Sequence, residues 1–587
     1  MDEAQRLQLK MAEELLFAKP LAAGFAKSLF RGRLLAAKVR PFPAPSAQEQ
    51  RAAEEFLARL RPVLDAHLDA VAIDREARIP DPLIAALGEI GLLGLTLPQA
   101  HGGLGLSQYA YARAMEAVAA RCGATAVFVN AHQSIGLKAI LLFGNEAQQR
   151  RFLPDLARGR KLAAFALTEP NAGSDAAGIE TRAIHLPERR VYLINGRKQW
   201  ITNGAIAGVL TLMARMEVQG PRGKEDKICA FLVTPDLPGF KVEAAALEKC
   251  GIRGTATAKL AFENLEVPEE NLLGAPGLGL KIALTVLDFG RLTFGASCTG
   301  AGKVLLQRAA AHAASRQQFH RPIGAFGMVQ EKIARMASLS YAMEAMTYLT
   351  AGLVDRGEED VMLETAILKV FASEALWTLS YEAMQVLGGR SFFTDEPFER
   401  MMRDARLNTI GEGANEVLRV FIALTGLRGL GRDLEALLEN ARRPAAWGRF
   451  IAGAGSLAAD WLRREAFPCA HGELAPLAEI YGRELQRFHR AGVRVLARWR
   501  EQVVDRQLDL NRIAEAAIAL TTSAAVLGRL ERDLTDFKAD SPEALRARAA
   551  GSYYVRSALR RAGAGLDALF DPADRETARL SDLFTGI

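Results

Sequence analysis

"FALTEPNAGSDAAG", Phe165 to Gly178, and "INGRKQWITNG", Ile194 to Gly204, are the stretches on which the reading of the fold turns. Each couples a short β-prone run to a turn of Pro, Gly, Asn or Ser, residues that take turn conformations readily. The first sets the hydroxyls of Thr168 and Ser174 beside Gly173 and Asp175 in one loop. Amides and hydroxyls gathered that way can bond a flat heterocycle and approach a pyrophosphate, although an ordinary turn has the same composition. The second offers the face of Trp200 and the hydroxyl of Thr202, which alone would also fit a hairpin with a packed tryptophan.

Working outward, strand signals run from about 161 to 270, through "VLTLMARMEV", "KICAFLVTP" and "AKLAFENLEV". Helical periods flank them. Residues 46–160 repeat apolar positions at three and four, as in "EEFLARLRPVLDAHLDAV", and 271–430 do so over longer spans. Residues 1–45 read as an amphipathic arm ending at "RPFPAP", and 431–587 as a further helical region broken near Pro444, Pro468 and Pro542. The fold class expected is α+β and multidomain: a helical domain, a middle β-domain, a helical bundle and a C-terminal helical extension.

At 587 residues the chain exceeds what one core supports. Half of it is apolar and 24% charged, as in ordinary globular proteins. A net charge of +6 is small for this length and does not argue for nucleic acid. The five cysteines lie far apart without metal-ligand spacing, so reduced thiols in a cytosol-like compartment are expected, with no metal site. No uninterrupted apolar run reaches spanning length, and the start resembles neither a secretory signal nor a transit peptide. The expected location is cytoplasmic, of bacterial type.

"TEPNAGSD" followed by "QWITNG" between helical domains resembles the flavin site of the acyl-CoA dehydrogenase family. The resemblance extends over nearly the whole chain: "HGGLGLS" (101–107), "AHQSIGLKAILLFG" (131–144), "LDFGR" (287–291), "SRQQF" (315–319), "MVQEKIARM" (328–336), "QVLGGRSF" (385–392) and "RDARLNTIGEGANEVLR" (403–419) fall in family order. The arm, "AHQSIG" and the region after 430 resemble the very-long-chain branch. The family's fold implies FAD held between the β-domain and the second helical domain. On that resemblance Thr168 bonds the pyrimidine edge of the flavin, Thr202 reaches toward N5, Trp200 covers a ring face, and Phe165, Leu167 and Ile201 line the loop. Ser174 falls near the pyrophosphate and the acyl-CoA. Arg316, Phe319 and Gln330 match residues that touch the FAD of a partner subunit. Gln385, Gly388 and Gly389 match the backbone packed on the adenosine half across the dimer, and Glu416 joins the cofactor set. Arg316 has a rationale of its own, since a guanidinium matches phosphate oxygens bidentately.

The family's reaction is α,β-dehydrogenation of an acyl thioester to the trans-2-enoyl product. Glu412, in "GEGAN", aligns with the base that takes the α-proton, and its backbone N–H is expected to donate to the thioester carbonyl. Gly413 leaves room for the ligand. Some members carry the base at the position of Gly290, where a glycine cannot serve. Asp288 and Arg291 match a pair near the acyl-CoA that steadies the base region; a solvated i,i+3 ion pair is the plainer reading. The chain departs from the family at Gly411, usually aromatic, and Ala414, usually threonine. Electron-transfer flavoprotein is the expected acceptor and a homodimer the expected unit.

"GAGSLA", Gly453 to Ala458, imitates a dinucleotide fingerprint but follows no strand signal. Trp447, Phe450, Ile451, Ala454, Ala458, Trp461 and Leu462 fall on one helical face with arginines nearby, so 440–466 reads as a peripheral membrane contact or as a helix packed on the body. Two other functions stay open: a scaffold or assembly relative, and a DNA-associated alkylation-response flavoprotein.

Overall fold

The computed structural model describes residues 24–220 and 223–586. Residues 1–23 of the amphipathic arm lie outside the described residues. Two units emerge, one of Pro45–Arg316 with Ala372–Gly413, the other of Ala22–Ala44, Gln317–Phe371 and Ala414–Ile587.

The first unit begins with helix Ala47–His67. Its Ser46 side chain accepts from the Glu49 N–H, and Glu49 accepts from the Ser46 N–H, satisfying two donors that a helix start would strand. Helices Gln108–Ala119 and Gly123–Asn130 follow, and the second runs directly into a π-helical turn, Ala131–Leu137. The strands are β1 (Ala163–Ala166), β2 (Arg182–Leu186), β3 (Val191–Thr202), β4 (Val209–Gly220), β5 (Gly223–Val233), β6 (Phe240–Ala244), β7 (Thr257–Pro268) and β8 (Leu272–Leu273). They form one sheet in the order β6-β7-β3-β2-β4-β5-β8, with β1 added parallel to β4. Alternate residues of β4 reach opposite faces, as a pleated strand requires. Leu210, Leu212 and Ala214 enter a core with Ile194, Phe231 and Leu260. Val209 and Met213 enter a second core with Leu153, Ile282 and Val286, so the sheet is packed on helices by one face. Helix Gly279–Ser315 carries Ile282 and Val286, and further along it carries the residues that meet Glu412.

Among the described residues, the second unit is helical apart from a short hairpin, Gln317–Gln318 with Arg321–Pro322. Helix Gln507–Asp536 is its buried centre, with Ser541 capping the next helix, Pro542–Asp567. Helix Phe25–Phe30 inserts beside helix Asn415–Ala441, where Gly426 leaves room for the Phe30 ring; a Cβ there would lie 2.1 Å from it. Phe30 also meets Phe488 edge-on at 4.8 Å.

Among the described residues, two stretches are long and apolar enough to cross a bilayer, Gly123–Phe143 and Gln507–Asp536, against the expectation that none would be. Their apolar windows are 67% and 89% buried in protein, which gives the apolar length a partner in the core. "GAGSLA" lies inside helix Trp447–Leu462, with no strand before it.

Candidate active site

The loop after β1 is held down by a charge. Lys198 of β3, fully buried, donates to the Leu167 carbonyl at 2.8 Å and to Glu169 at 2.6 Å. Glu169 also accepts from the backbone N–H groups of Glu180 and Thr181. Burial alone would raise the Glu169 carboxyl, but the Lys198 charge and these donors outweigh it and hold it below the usual carboxylate range. Burial pushes the Lys198 ammonium down to about 8, which Glu169 only partly reverses. The Gln199 N–H donates to the Thr168 carbonyl at 3.0 Å, so Phe165–Gly178 and Ile194–Gly204 lie side by side.

Trp200 sits where the β3–β7 register slips, with φ 60°, a left-handed conformation rare for an aromatic residue. Its ring is 60% exposed. Thr168 and Thr202 are half-buried, as are Phe165 and Leu167; Ile201 is buried and Ser174 exposed. A flat, apolar ring face beside two hydroxyls and the open Gly173, with nothing within 4 Å of a Cβ there, fits a flavin.

The Glu412 loop is built differently. Helix Phe398–Leu407 is anchored by Arg403, which pairs with Asp74 at 2.7 Å and Glu399 at 2.8 Å. The chain then turns through Glu412 at φ 57° and Gly413 at φ 101°. A left-handed glutamate is a sparsely populated state that surrounding contacts must hold. Asn130 Nδ2 donates to Glu412 Oε1 at 2.5 Å. Arg291 Nε points at the Glu412 carbonyl from 3.5 Å, the long limit of a hydrogen bond, and its NH1 meets Asp288 at 3.3 Å. The Asp288–Arg291 pair is thus buried on the arginine side and beside Glu412, where a solvated helix face would leave both groups in water. Gly290 faces the carboxylate: a Cβ there would stand 2.7 Å from Glu412 Oε2. Gly411 has space, its nearest neighbour lying 3.7 Å from such a Cβ.

Beneath this loop runs a chain of hydroxyls. Thr293 donates to the Phe289 carbonyl at 3.0 Å, so its oxygen accepts from Ser134 at 2.9 Å, and Ser134 in turn accepts from Tyr111 at 3.1 Å. Burial pushes the Tyr111 phenol up to about 12, and the nearby Glu412 charge adds to the rise. Tyr111 and Thr293 come from helices Gln108–Ala119 and Gly279–Ser315, and Ser134 from the π-turn. Its extra residue per turn re-aims the buried run "AHQSIGL", and such turns recur at functional sites. Within it His132 accepts from the Ala163 N–H at 2.9 Å and faces the Leu156 carbonyl at 3.1 Å, tying β1 to the helices. Burial lowers its imidazole to about 4, so it is neutral.

The residues matched to a partner's cofactor are all exposed. Arg316 ends helix Gly279–Ser315, and Phe319, 84% exposed, tips the hairpin at φ 51°. Gln330 and Glu416 are exposed in the second unit, and Gln385, Gly388 and Gly389 in the first. A Cβ at Gly388 or Gly389 would meet nothing within 4 Å. Sequence reasoning missed Asn130, Tyr111, Ser134, Thr293 and the Lys198–Glu169 pair. The polar run "NAHQS" in an apolar helix was the available signal, because buried polar side chains require partners.

An acid on a strained turn, a half-open aromatic platform and a helical–β–helical frame define a flavin-dependent dehydrogenase class. Comparison with known proteins makes this specific. The acyl-CoA dehydrogenase N-terminal domain matches residues 50–160, the middle domain 164–265 and the C-terminal domain 277–427, and the ACAD9/ACADV C-terminal domain matches 472–582. The chain belongs to the acyl-CoA dehydrogenase family and is an FAD-dependent oxidoreductase. It is 36% identical to a very long-chain specific acyl-CoA dehydrogenase, mitochondrial, of Macaca fascicularis, over 90% of this chain and 82% of that protein. A probable acyl-CoA dehydrogenase, FadE10, of Mycobacterium tuberculosis is 34% identical over 99% of this chain and 91% of its own length. An acyl-CoA dehydrogenase from Bacillus anthracis, solved with FAD, superposes with a TM-score of 0.76 at 30% identity, covering 92% of this chain and 91% of that one.

Proposed function

We propose that this enzyme dehydrogenates long-chain fatty acyl-CoA to the trans-2-enoyl thioester, with Glu412 as the base that removes the α-proton. The observation that carries the assignment is the Glu412 carboxylate, turned in by a left-handed backbone and facing Gly290 on the long helix. FAD supplies the hydride acceptor when bound. Trp200, Thr168 and Thr202 would hold its ring system, with Phe165, Leu167, Ile201 and Ser174 along the loop. The α-C–H is a weak acid, so the base must be kept from bulk water and the thioester oxygen must meet a donor as charge develops on it. The Glu412 N–H is that donor, Gly413 leaves space for the thioester, and Asp288 and Arg291 keep the loop in place.

A cavity of about 310 Å3 lies between helices Gly123–Asn130 and Gly279–Ser315. Ala119, Gly123, Ala126 and Ala301 give it small walls, while Asn130, Arg121, Arg308, Arg400 and Asp404 make much of its lining polar. The active unit is a homodimer, in which exposed Arg316, Phe319, Gln330, Gln385, Gly388 and Gly389 complete the partner's cofactor site, and Glu416 belongs to the cofactor set. Electron-transfer flavoprotein is the acceptor. The location is cytoplasmic, with peripheral contact at the inner face of the membrane through 440–466. Supporting this contact, Trp447, Ile451 and Leu462 are 60%, 65% and 73% exposed along one face of helix Trp447–Leu462. The apolar residues thought to share that face divide: Phe450, Ala454 and Trp461 are half-buried against the body, with Arg490 over the Trp461 ring at 5.4 Å.

The purified protein should be yellow, and acyl-CoAs of increasing chain length should bleach it, with the longer chains fastest. FAD binding without bleaching by any acyl-CoA would sink the dehydrogenase reading. Liposome flotation should be lost when Trp447, Ile451 and Leu462 are changed together to Ser; unchanged flotation would remove the membrane contact.

A further inference from the structure

Asn130 is 2% exposed and closes helix Gly123–Asn130 at its junction with the π-turn. Its Nδ2 lies 2.5 Å from Glu412 Oε1, across 282 residues of sequence. Its Oδ1 is buried without a hydrogen-bond partner. A buried amide with one end unsatisfied is poor core material, and an apolar side chain of the same size would pack there at lower cost. The reverse amide orientation would press Oδ1 against a carboxylate oxygen, so the donor must face Glu412.

We infer that Asn130 is a positioning residue for the reaction, fixing the direction of the Glu412 carboxylate and its affinity for the α-proton. This rests on the reading of Glu412 as the base. A neutral amide suits the task. It engages one oxygen and turns the other toward Gly290, yet brings no positive charge to suppress proton affinity as a lysine would. It also helps maintain the left-handed Glu412, together with Arg291 at the carbonyl. Titratable groups near the carboxylate among the described residues include Tyr111 on helix Gln108–Ala119 and the Asp288–Arg291 pair on helix Gly279–Ser315. A hydrogen bond to the ionised form favours that form, so removing the donor moves the titration upward.

The test uses the FAD-loaded enzyme. Infrared difference titration follows the carboxyl band that Glu412→Gln abolishes, and the acid limb of kcat/KM for flavin bleaching is recorded in parallel. Asn130→Leu should raise both titrations by about one pH unit. Asn130→Asp, which places a second carboxylate against the first, should raise them further. On the alkaline plateau kcat should fall about tenfold in Asn130→Leu with KM little changed, as expected for lost orientation. Leu and Asp variants that fold, keep FAD and titrate as wild type would overturn the inference; should the Asp variant misfold, the Leu variant decides alone. Bleaching of Glu412→Gln at the wild-type rate would instead overturn the base assignment, so the two failures are distinct.

Discussion

Glu169 and Glu412 are two glutamates of the same unit, partnered in opposite ways. Glu169 meets a lysine at 2.6 Å and two backbone amides, which hold it ionised below the usual carboxylate range. Glu412 receives a neutral amide on Oε1, while the arginine beside it turns to its carbonyl and to Asp288. On the proposed assignment, the difference separates a carboxylate that supports from one that reacts. A cation beside an acid makes a strong anchor and a weak base; a neutral donor orients the acid and leaves it able to take a proton.

Breaking the anchor should have the largest effect. Lys198→Met leaves Glu169 buried without its cation, and stability should fall by about 3–5 kcal/mol, read by chemical unfolding, with loss of bound FAD. A loss under about 1 kcal/mol would mean that the Glu180 and Thr181 amides suffice. A third buried group, His132, extends the comparison to a neutral partner. Its folded value near 4 lies below the ordinary 6.5, so between those values the unfolded chain binds more protons. Stability should therefore be retained above pH 6.5 and decline as pH falls from there toward 4, by about 3 kcal/mol in all. His132→Gln should flatten that decline in a pH series of unfolding curves.

On the reacting side, Gly290→Ala puts a methyl group where Glu412 Oε2 needs space. The carboxylate must shift, and kcat should drop by about a hundredfold with unfolding little changed. The smallest effect belongs to Gly411, which is not in a left-handed conformation and has room for a methyl. Gly411→Ala should add about 0.4–1 kcal/mol of stability by restricting the unfolded chain, with near wild-type bleaching. A large rate loss there would show that the base loop needs the glycine's freedom.

Much of this was legible in the sequence because it is local. "TEPNAGSD" and "QWITNG" carry their turns within themselves, the strands alternate as written, and "GEGAN" announces a strained acid by its flanking glycines. The buried partners were not legible. Asn130 reaches Glu412 only through tertiary packing, and Lys198 looks like one more surface lysine until β3 buries it. The helix at 447–462 shows a related limit. Its pattern marks seven apolar positions, but only the neighbouring helices decide that Phe450, Ala454 and Trp461 turn inward while Trp447, Ile451 and Leu462 stay exposed.

The proposed chemistry turns on removal of the α-proton by Glu412. Single-turnover bleaching of the bound flavin by a long-chain acyl-CoA tests it directly, comparing wild type with Glu412→Gln at matched FAD content. Loss of the general base should slow bleaching by a factor of about 10²–10⁴ with acyl-CoA affinity retained. Bleaching at the wild-type rate in the Gln variant would contradict the account.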